Sequence, residues 1–412
     1  MRWILCTLFL LLMGSAFAQK NVENGTKSEG YTFKLSEEVR FGADEEDEAH
    51  YIWPNLKTQI IPGPDGNMYI FDSDGPRVLA FDKDGLFLKQ VAGPGNGPGE
   101  LKFLLHVTQA SDGSIFVMDT DPLAGSVRLN KFNADMTFAA EIPLRELGYQ
   151  PAIANISGDG KYLGGIFAKY DMKTNGLILK TAIVNLEEKK IVNEISETAT
   201  SQPDNARMQD SAMWVDYLAG QIKTLYAFGM VTFGADGTAY SAVSNKYEVS
   251  VWKPGTEKAL LKFNRKFKPI PFDDEAQQEL IDHFYDNFPP QARQLITKQV
   301  LRRAFDKANL PPGKAPIINL IPIEDKGVMV IHDIDMKDRS NLGDIFSKDG
   351  RYLCQVKLKD NALFAFSTSN PTPRMIFRNG KAYTIITDEN GDNRAVRYSY
   401  AITKNGKEFG GN

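Results

Sequence analysis

Short stretches of alternating apolar and polar residues, separated by turns rich in Asp, Asn and Gly, run along most of the chain. In one example, residues 78–81 and 86–88 flank the turn at Asp84-Gly85. Asn, Asp and Gly tolerate the positive φ angles of tight hairpins, so this pattern predicts antiparallel strands joined by hairpin turns. We therefore expect an all-β fold.

One turn signal, followed directly by the start of an apolar strand, occurs six times. The copies are Asp65-Gly66, Asp112-Gly113, Asp159-Gly160, Asp236-Gly237, Lys326-Gly327 and Asn379-Gly380. A second turn follows each copy 18 to 28 residues later, at Asp84-Gly85, Ala134-Asp135, Glu187-Glu188, Pro254-Gly255, Asp349-Gly350 and Asn405-Gly406. Two hairpin turns per unit imply four strands, a to d, and six such units predict a six-bladed β-propeller of four-stranded antiparallel blades.

The glycines of the first turns are 47, 47, 77, 90 and 53 residues apart, so the two long gaps predict insertions. Residues 272–309 carry apolar residues at helical spacing, and Phe288-Pro289-Pro290 divides them into two helices between blades four and five. A second insertion, roughly residues 196–224, contains Met208, Trp214 and Tyr217 and falls between blades three and four. Both belong to d-to-a connections and should lie on the face of the b-to-c loops, either to cover apolar blade surface or as a lid over a binding site.

Residues 64–100 contain Pro-Asp-Gly-Asn-Met-Tyr-Ile-Phe-Asp, then Phe-Asp-Lys-Asp-Gly-Leu-Phe, then Gly-Asn-Gly-Pro-Gly-Glu, and they resemble an NHL repeat. NHL repeats build six-bladed propellers that are common among exported bacterial proteins, and the segment 311–316 before blade five is similar to exported members of that class. The resemblance is clearest in blade one. The proline that usually follows the glycine-rich stretch is missing from residues 101–104.

A propeller must close its ring. Residues 31–41 have the pattern of a strand that precedes the first turn. We predict that this segment joins blade six as its outer strand or packs beside blade one, since either place protects a sheet edge.

The b-to-c loops supply the candidate site residues. These are Asp72, Asp74, Asp119, Asp121, His332, Asp333, Asp335 and Asp388. Converging carboxylates and a histidine are suitable ligands for a divalent cation such as calcium or zinc. However, Arg77, Arg128, Arg339 and Arg394 follow Asp72, Asp119, Asp333 and Asp388 in the same hairpins. The favoured interpretation is an Asp–Arg brace made once per blade, and the NHL repeat carries the same two residue types.

Other chemical signals are weak. The chain has four histidines, His50, His106, His283 and His332, of which only His106 and His332 are placed to point inward, and two histidines make a poor zinc site. The glycine-rich residues 93–100 lack a Gly-Lys-Ser/Thr ending and a following helix, so they predict a crossing between blades rather than a phosphate loop. No Gly-x-Ser-x-Gly motif occurs in the sequence.

The first 18 residues have the pattern of a cleaved signal peptide, with Arg2, an apolar run over residues 4–13 and Ala16-Phe17-Ala18 before Gln19. Residues 19–412 then form the propeller domain, and we expect it in the periplasm or outside the cell. Cleavage leaves 47 basic and 52 acidic residues, which argues against nucleic acid as a partner, and no other run is long enough to span a membrane. Cys354 remains as the single cysteine and is predicted to be a core residue.

Two functions remain open on this evidence. The favoured one is an exported, non-catalytic, monomeric propeller without a cofactor, which binds a protein, a small molecule or a saccharide on the face that bears the insertions. The ligand-binding candidates are Asp72, Asp119, His332, Asp333, Asp335, Asp388, Arg77 and Arg128. The alternative is a metal-assisted lyase or hydrolase with its site at the channel mouth, because propellers host both kinds of function.

Overall fold

Six β-sheets are arranged around a central channel in the computed structural model. The structure describes residues 19–42, 58–72, 77–95, 97–121, 126–335, 340–359, 375–387 and 393–410. The predicted signal peptide lies outside these residues. Consecutive strands of each blade pair antiparallel, so the predicted six-bladed propeller is confirmed.

The first three blades are regular four-stranded sheets whose strand order follows the sequence. Blade one contains β3 (Gln59–Pro62), β4 (Met68–Asp72), β5 (Arg77–Phe81) and β6 (Phe87–Ala92). Blade two contains β7 (Leu104–Gln109), β8 (Ile115–Asp121), β9 (Ser126–Phe132) and β10 (Phe138–Ile142). Blade three contains β11 (Gln150–Ile156), β12 (Tyr162–Asp171), β13 (Gly176–Asn185) and β14 (Lys190–Ser201).

The other three blades include two that recruit N-terminal strands, β1 (Lys20–Asn24) and β2 (Thr32–Phe41). Blade four contains β15 (Gly229–Phe233), β16 (Ala239–Val243), β17 (Glu248–Trp252) and β18 (Leu261–Arg265), with β1 beside β18. Blade five contains β19 (Asn319–Ile323), β20 (Gly327–Asp335), β21 (Ser340–Ser347) and β22 (Tyr352–Leu358). Blade six contains β23 (Met375–Arg378), β24 (Lys381–Thr387), β25 (Asn393–Lys404) and β2, and β26 (Lys407–Glu408) pairs with β25.

The N-terminal segment forms a belt along the outer edges of three blades. β1 runs parallel to β18 of blade four, and the backbone N–H of Glu29 donates to the carbonyl of Tyr352 in blade five at 2.9 Å. β2 then pairs antiparallel with β25, from Thr32 opposite Thr403 to Phe41 opposite Ala395. This confirms that residues 31–41 close the ring as the outer strand of blade six, whereas the parallel strand β1 was not predicted.

The core is divided among the interfaces between blades. Each of the six neighbouring pairs of blades encloses its own cluster of buried apolar side chains. Cys354 is buried in the cluster between blades five and six, as expected for a core residue, and burial raises the pKa of its thiol to about 11. Burial of such apolar surface on both faces of every sheet is the main force that holds the ring together.

One turn shows why its glycine is required. Gly85, between the last two strands of blade one, has a φ of 93°. A Cβ atom there would lie 2.3 Å from the carbonyl oxygen of Arg40 in β2. Any side chain would therefore collide with the strand that closes the ring.

The helices occupy the two predicted insertions. They are α1 (Ser211–Tyr226) between blades three and four, and α2 (Asp274–Asn287), α3 (Pro290–Arg293) and α4 (Lys298–Ala308) between blades four and five. The side chains of Asp210, Asp273 and Thr297 accept backbone N–H groups at the starts of α1, α2 and α4. The first insertion begins later than predicted, because β14 continues to Ser201. None of the described helices is long and apolar enough to cross a bilayer.

Candidate functional site

Two of the predicted acidic residues pair with the arginine that follows them in the same hairpin. Arg77 Nε donates to Asp72 Oδ2 at 3.1 Å, and both side chains are partly exposed. Asp119 is fully buried, binds Arg128 and accepts the backbone N–H of Phe103 at 2.7 Å. Both ion pairs lie within one hairpin, and Asp119 also ties its hairpin to the segment before the blade, which supports the brace interpretation in blades one and two.

Blade five departs from this pattern. Lys314 Nζ, from the segment that leads into the blade, donates to Asp333 Oδ1 at 2.8 Å. The side chain of Asp335 is exposed at the end of β20. The remaining candidates lie outside the described residues or side chains; these are Asp74, Asp121, Arg339 and Asp388. A brace in blade six, and a cation site that includes Asp388, therefore stay predictions.

His332 does not lie in a loop at the channel, and the prediction is wrong on that point. β20 continues through Asp335, so His332 is a strand residue. The pairing of β20 with β21 shifts register between Ile331 and Asp333, so His332 is the extra residue of a β-bulge. It is 2% exposed, between blades four and five, with the rings of Tyr247 and Phe267 beside it. A buried strand position was not apparent because the apolar stretch of this blade continues past the usual strand length.

The neighbours of His332 form a buried charged cluster. Asp344 Oδ2 accepts from Arg265 Nε at 2.5 Å and from the hydroxyl of Tyr247, and His332 Nε2 lies 3.4 Å away. The Arg265 guanidinium also lies 5.2 Å from the ring centre of Tyr352. Burial opposes ionisation of Asp344, but His332, Tyr247 and Arg265 together hold the pKa of its carboxyl below the usual range.

The helices pack mainly against one another rather than flat on the blades. Their apolar side chains form one cluster that includes Trp214 and Ile222 from α1, Ile281 from α2 and Phe305 from α4. An ion pair between Lys307 and Asp216 links α4 to α1. We call α1 to α4 the helix cluster. It has a small core of its own on the face of the propeller that carries the d-to-a connections.

A cavity of about 110 Å³ lies between the helix cluster and blade five. Its walls are mostly apolar and include Leu225, Leu280, Phe284, Phe305 and Ile334. The charged side chains of the lining are Glu279, Lys314 and Asp333, of which the last two form the ion pair described above. The cavity therefore brings one predicted site residue, Asp333, together with Lys314, which sequence reasoning did not single out.

A larger cavity, of about 290 Å³, lies in the central channel. All six first strands or their turns contribute to it, and its exposed lining residues Ser111, Ala235 and Asn379 belong to a-to-b turns. It therefore opens on the face opposite the helix cluster. His106 and Arg378 also line it. The sequence predicts that His106 points inward, but it does not single out Arg378. The signal that could have indicated Arg378 is its position at the end of a first strand, directly before the Asn379-Gly380 turn.

Metal ligands were part of the alternative hypothesis. Across the described ranges, no group of three or more His, Cys, Asp or Glu side chains is arranged to hold a metal ion. The proposed calcium or zinc site is not tested by this observation, because candidate ligands such as Asp388 lie outside those ranges.

A comparison with protein families supports the fold. The family model DUF5128, described as "6-bladed beta-propeller", matches residues 59–144. This range comprises blades one and two as the structure defines them. No curated protein matches the chain.

Solved structures with a similar chain trace include a protein of Bacteroides fragilis described as exported, with a TM-score of 0.49 and 11% identity over 93% of this chain and 100% of that one. A protein of unknown function from Bacteroides thetaiotaomicron has a TM-score of 0.38 and 10% identity over 90% of this chain and 76% of that one. The PQQ-bound aldose sugar dehydrogenase of Streptomyces coelicolor has a TM-score of 0.38 and 9% identity over 90% of this chain and 98% of that one. Similarity at this level says nothing about the activity of the present chain.

Proposed function

We propose that this protein is an exported binding protein that holds a small, mainly apolar molecule between the helix cluster and blade five. The observation that carries the proposal is the cavity of about 110 Å³, which combines apolar walls with the Lys314–Asp333 ion pair. Ligand sites in proteins typically have this composition, an apolar lining with a few charged or polar groups that fix orientation. The volume is close to that of a cavity of about 150 Å³ that binds benzene.

The charges of the lining favour a ligand with an amine. Glu279 and Asp333 contribute two carboxylates, against the one ammonium group of Lys314. A protonated amine in the cavity would be attracted to Asp333 at short range, in surroundings where solvent screens charges less than at an open surface. A ligand carboxylate would be repelled by the net negative charge of these three side chains.

A titration with fluorinated probes tests this proposal. We expect 4-fluorobenzylamine to bind, as followed by ¹⁹F NMR, and 4-fluorobenzoate to bind more weakly. Asp333→Asn should weaken binding of the amine at least about tenfold, because a charge-assisted contact contributes roughly 1.5–3 kcal/mol. Ala276→Phe, which fills the cavity from α2, should abolish it.

Asp282→Asn is the matched control. Asp282 forms an ion pair with Lys298 at 2.7 Å within the same helix cluster, but it does not line the cavity. Binding of the amine should therefore be unchanged in this variant. Equal binding of both probes, or equal effects of the two Asp→Asn substitutions, would contradict the proposal.

Export is the second part of the proposal. The first described strand begins at Lys20, two residues after the predicted cleavage site at Ala18, so cleavage leaves every described strand intact. N-terminal sequencing of the protein from its native host should begin at Gln19 and recover it from the periplasm or the medium. A mature chain that still carried Arg2 would contradict cleavage.

A further inference from the structure

The central channel has a polar wall at its end opposite the helix cluster. Most of the polar groups of this wall already form hydrogen bonds within the protein. Side chains of the first strands join neighbouring blades through hydrogen bonds. Gln59 Oε1 accepts the backbone N–H of Val107 at 2.9 Å, and Asn155 Nδ2 donates to the carbonyl of Val231 at 3.1 Å. Because these groups are satisfied, they hold the ring together and leave little capacity for a ligand.

Arg378 is different. One of its nitrogens, Nη2, donates to the carbonyl of Ser111 at 2.7 Å, which carries the side chain from blade six to a turn of blade two. No described carboxylate lies within ion-pair distance of it, and Glu324 and Asp112 act only from farther away. A guanidinium has five N–H donors in a planar fork, so the described residues leave most of its hydrogen-bonding capacity at the channel mouth unused.

The nearest carboxylates do not compete for this guanidinium. Glu324 accepts from the hydroxyl of Tyr400 at 2.6 Å and from the backbone N–H of Gly380 at 3.1 Å. Asp112 accepts the backbone N–H of Ser114 at 2.8 Å. Both are held by neutral donors of their own, so no carboxylate in the described part of the chain neutralises Arg378.

Two further side chains, deeper in the wall of the channel, have atoms that could form additional hydrogen bonds. The His106 side chain is 1% exposed, and Asn155 is the one polar side chain that acts on its ring, which leaves a second ring nitrogen without a partner among the described residues. Oε1 of Gln109 is also unpaired among those residues. Burial lowers the pKa of His106 to about 4, so the ring is neutral near pH 7 and offers one donor and one acceptor. Buried polar groups without partners are rare in native proteins and call for an explanation.

We propose that this end of the channel binds a small hydroxylated carboxylate of about the size of a sugar acid, with its carboxylate on Arg378. A planar carboxylate matches the fork of a guanidinium in geometry and charge. Hydroxyl groups both donate and accept, which suits the unpaired atoms of His106 and Gln109 deeper in the wall. The cavity, at about 290 Å³, is large enough for a molecule of that size. This site is independent of the proposed amine site, which lies on the opposite face.

Calorimetric titration with D-glucuronate tests the inference, with D-glucose as the uncharged match and inorganic phosphate as a simple anion. We expect D-glucuronate to bind and both comparison probes to bind at least tenfold more weakly. Arg378→Gln should weaken binding of D-glucuronate at least tenfold, since a charge-assisted bidentate contact is lost. Arg351→Gln is the control, because Arg351 lies in a hairpin turn of blade five on the same face but pairs with Asp349 and Glu29. It should leave binding unchanged.

A second variant keeps the test decisive if Arg378→Gln does not fold. Ala235→Trp places a large ring on an exposed turn residue of the lining without removing a hydrogen bond of the Ala235 backbone, and it should also abolish binding. Three results would overturn the inference: no binding of D-glucuronate, binding that is indifferent to both variants, or equal binding of phosphate. Equal binding of phosphate would mark a general anion site instead.

Discussion

Two buried histidines each lie at an interface between blades and have opposite surroundings. His332 lies between blades four and five, next to the ionised Asp344, Arg265 and Tyr247. His106 lies at the interface of blades two and three, where Asn155 is its polar neighbour. The same side chain therefore belongs to a charged cluster at one interface and to a neutral wall at the other. What a buried histidine does is determined by the blade across the interface, which its own repeat does not encode.

The largest expected effect comes from breaking the charged cluster. Asp344→Ala removes the carboxylate that pairs with Arg265, whose side chain is only 10% exposed. An uncompensated buried charge costs about 3–5 kcal/mol, so the free energy of unfolding in urea should fall by that amount at pH 7. Asp84→Ala, which breaks the exposed Lys83–Asp84 pair, is the control and should change stability by less than about 0.5 kcal/mol. A loss below about 1 kcal/mol for Asp344→Ala would show that the buried charged cluster does not stabilise the interface between blades four and five as we describe.

A smaller effect is expected in the pH dependence of folding stability, which tests whether His106 is neutral in the folded protein. Burial lowers the pKa of His106 to about 4, against 6.5 for the free side chain. As the pH falls below 6.5, the unfolded chain takes up a proton that the folded chain excludes until about pH 4, so the folded state loses stability across that window. From pH 7 to pH 5 the loss attributable to this residue is about 2 kcal/mol, and His106→Gln should lack it in urea unfolding measured at both pH values.

The control for this measurement is Asp84→Ala. This substitution breaks only the exposed Lys83–Asp84 pair. The difference in stability between pH 7 and pH 5 should therefore be the same as in the parent protein. If His106→Gln retained the full pH dependence, its ring would be protonated in the fold, and the neutral wall of the channel would be wrong.

The smallest loss of stability is expected for an ion pair whose two residues lie in one hairpin. Asp72 and Arg77 are partly exposed and lie 3.1 Å apart in blade one. Pairs of this kind contribute up to about 1 kcal/mol, so Asp72→Ala should lower the free energy of unfolding by no more than that. A loss as large as that of Asp344→Ala would remove the distinction between braces within a blade and clusters between blades.

The features that the sequence predicted lie mostly within single blades. Turn spacing identified all six blades, since a tight turn is determined by neighbouring residues such as Asp65-Gly66. The Asp72–Arg77 and Asp119–Arg128 pairs were predictable because each lies within one hairpin. The helical insertion before blade five was recognised from its apolar spacing.

Contacts between distant parts of the chain were not predictable in the same way. Asp344 and Tyr247 are 97 residues apart in sequence, and nothing in either repeat indicates the other. The contact of Arg378 with Ser111 spans 267 residues and crosses the channel. Lys314 lies in a segment noted only for its similarity to exported propellers, and its partner Asp333 was assigned to Arg339, which is nearer in sequence. Such pairs depend on how blades meet around the ring.

The belt of N-terminal residues imposes an order of events on biosynthesis. Thr32 pairs with Thr403, so one of the first strands to be made must find nearly the last one. Until then both edges of the incomplete ring remain open, and contacts of such long sequence separation form slowly. During synthesis β2 is made early and its partner β25 is made near the end. We therefore expect a variant that cannot pair β2 with β25 to form its blades but not a closed ring.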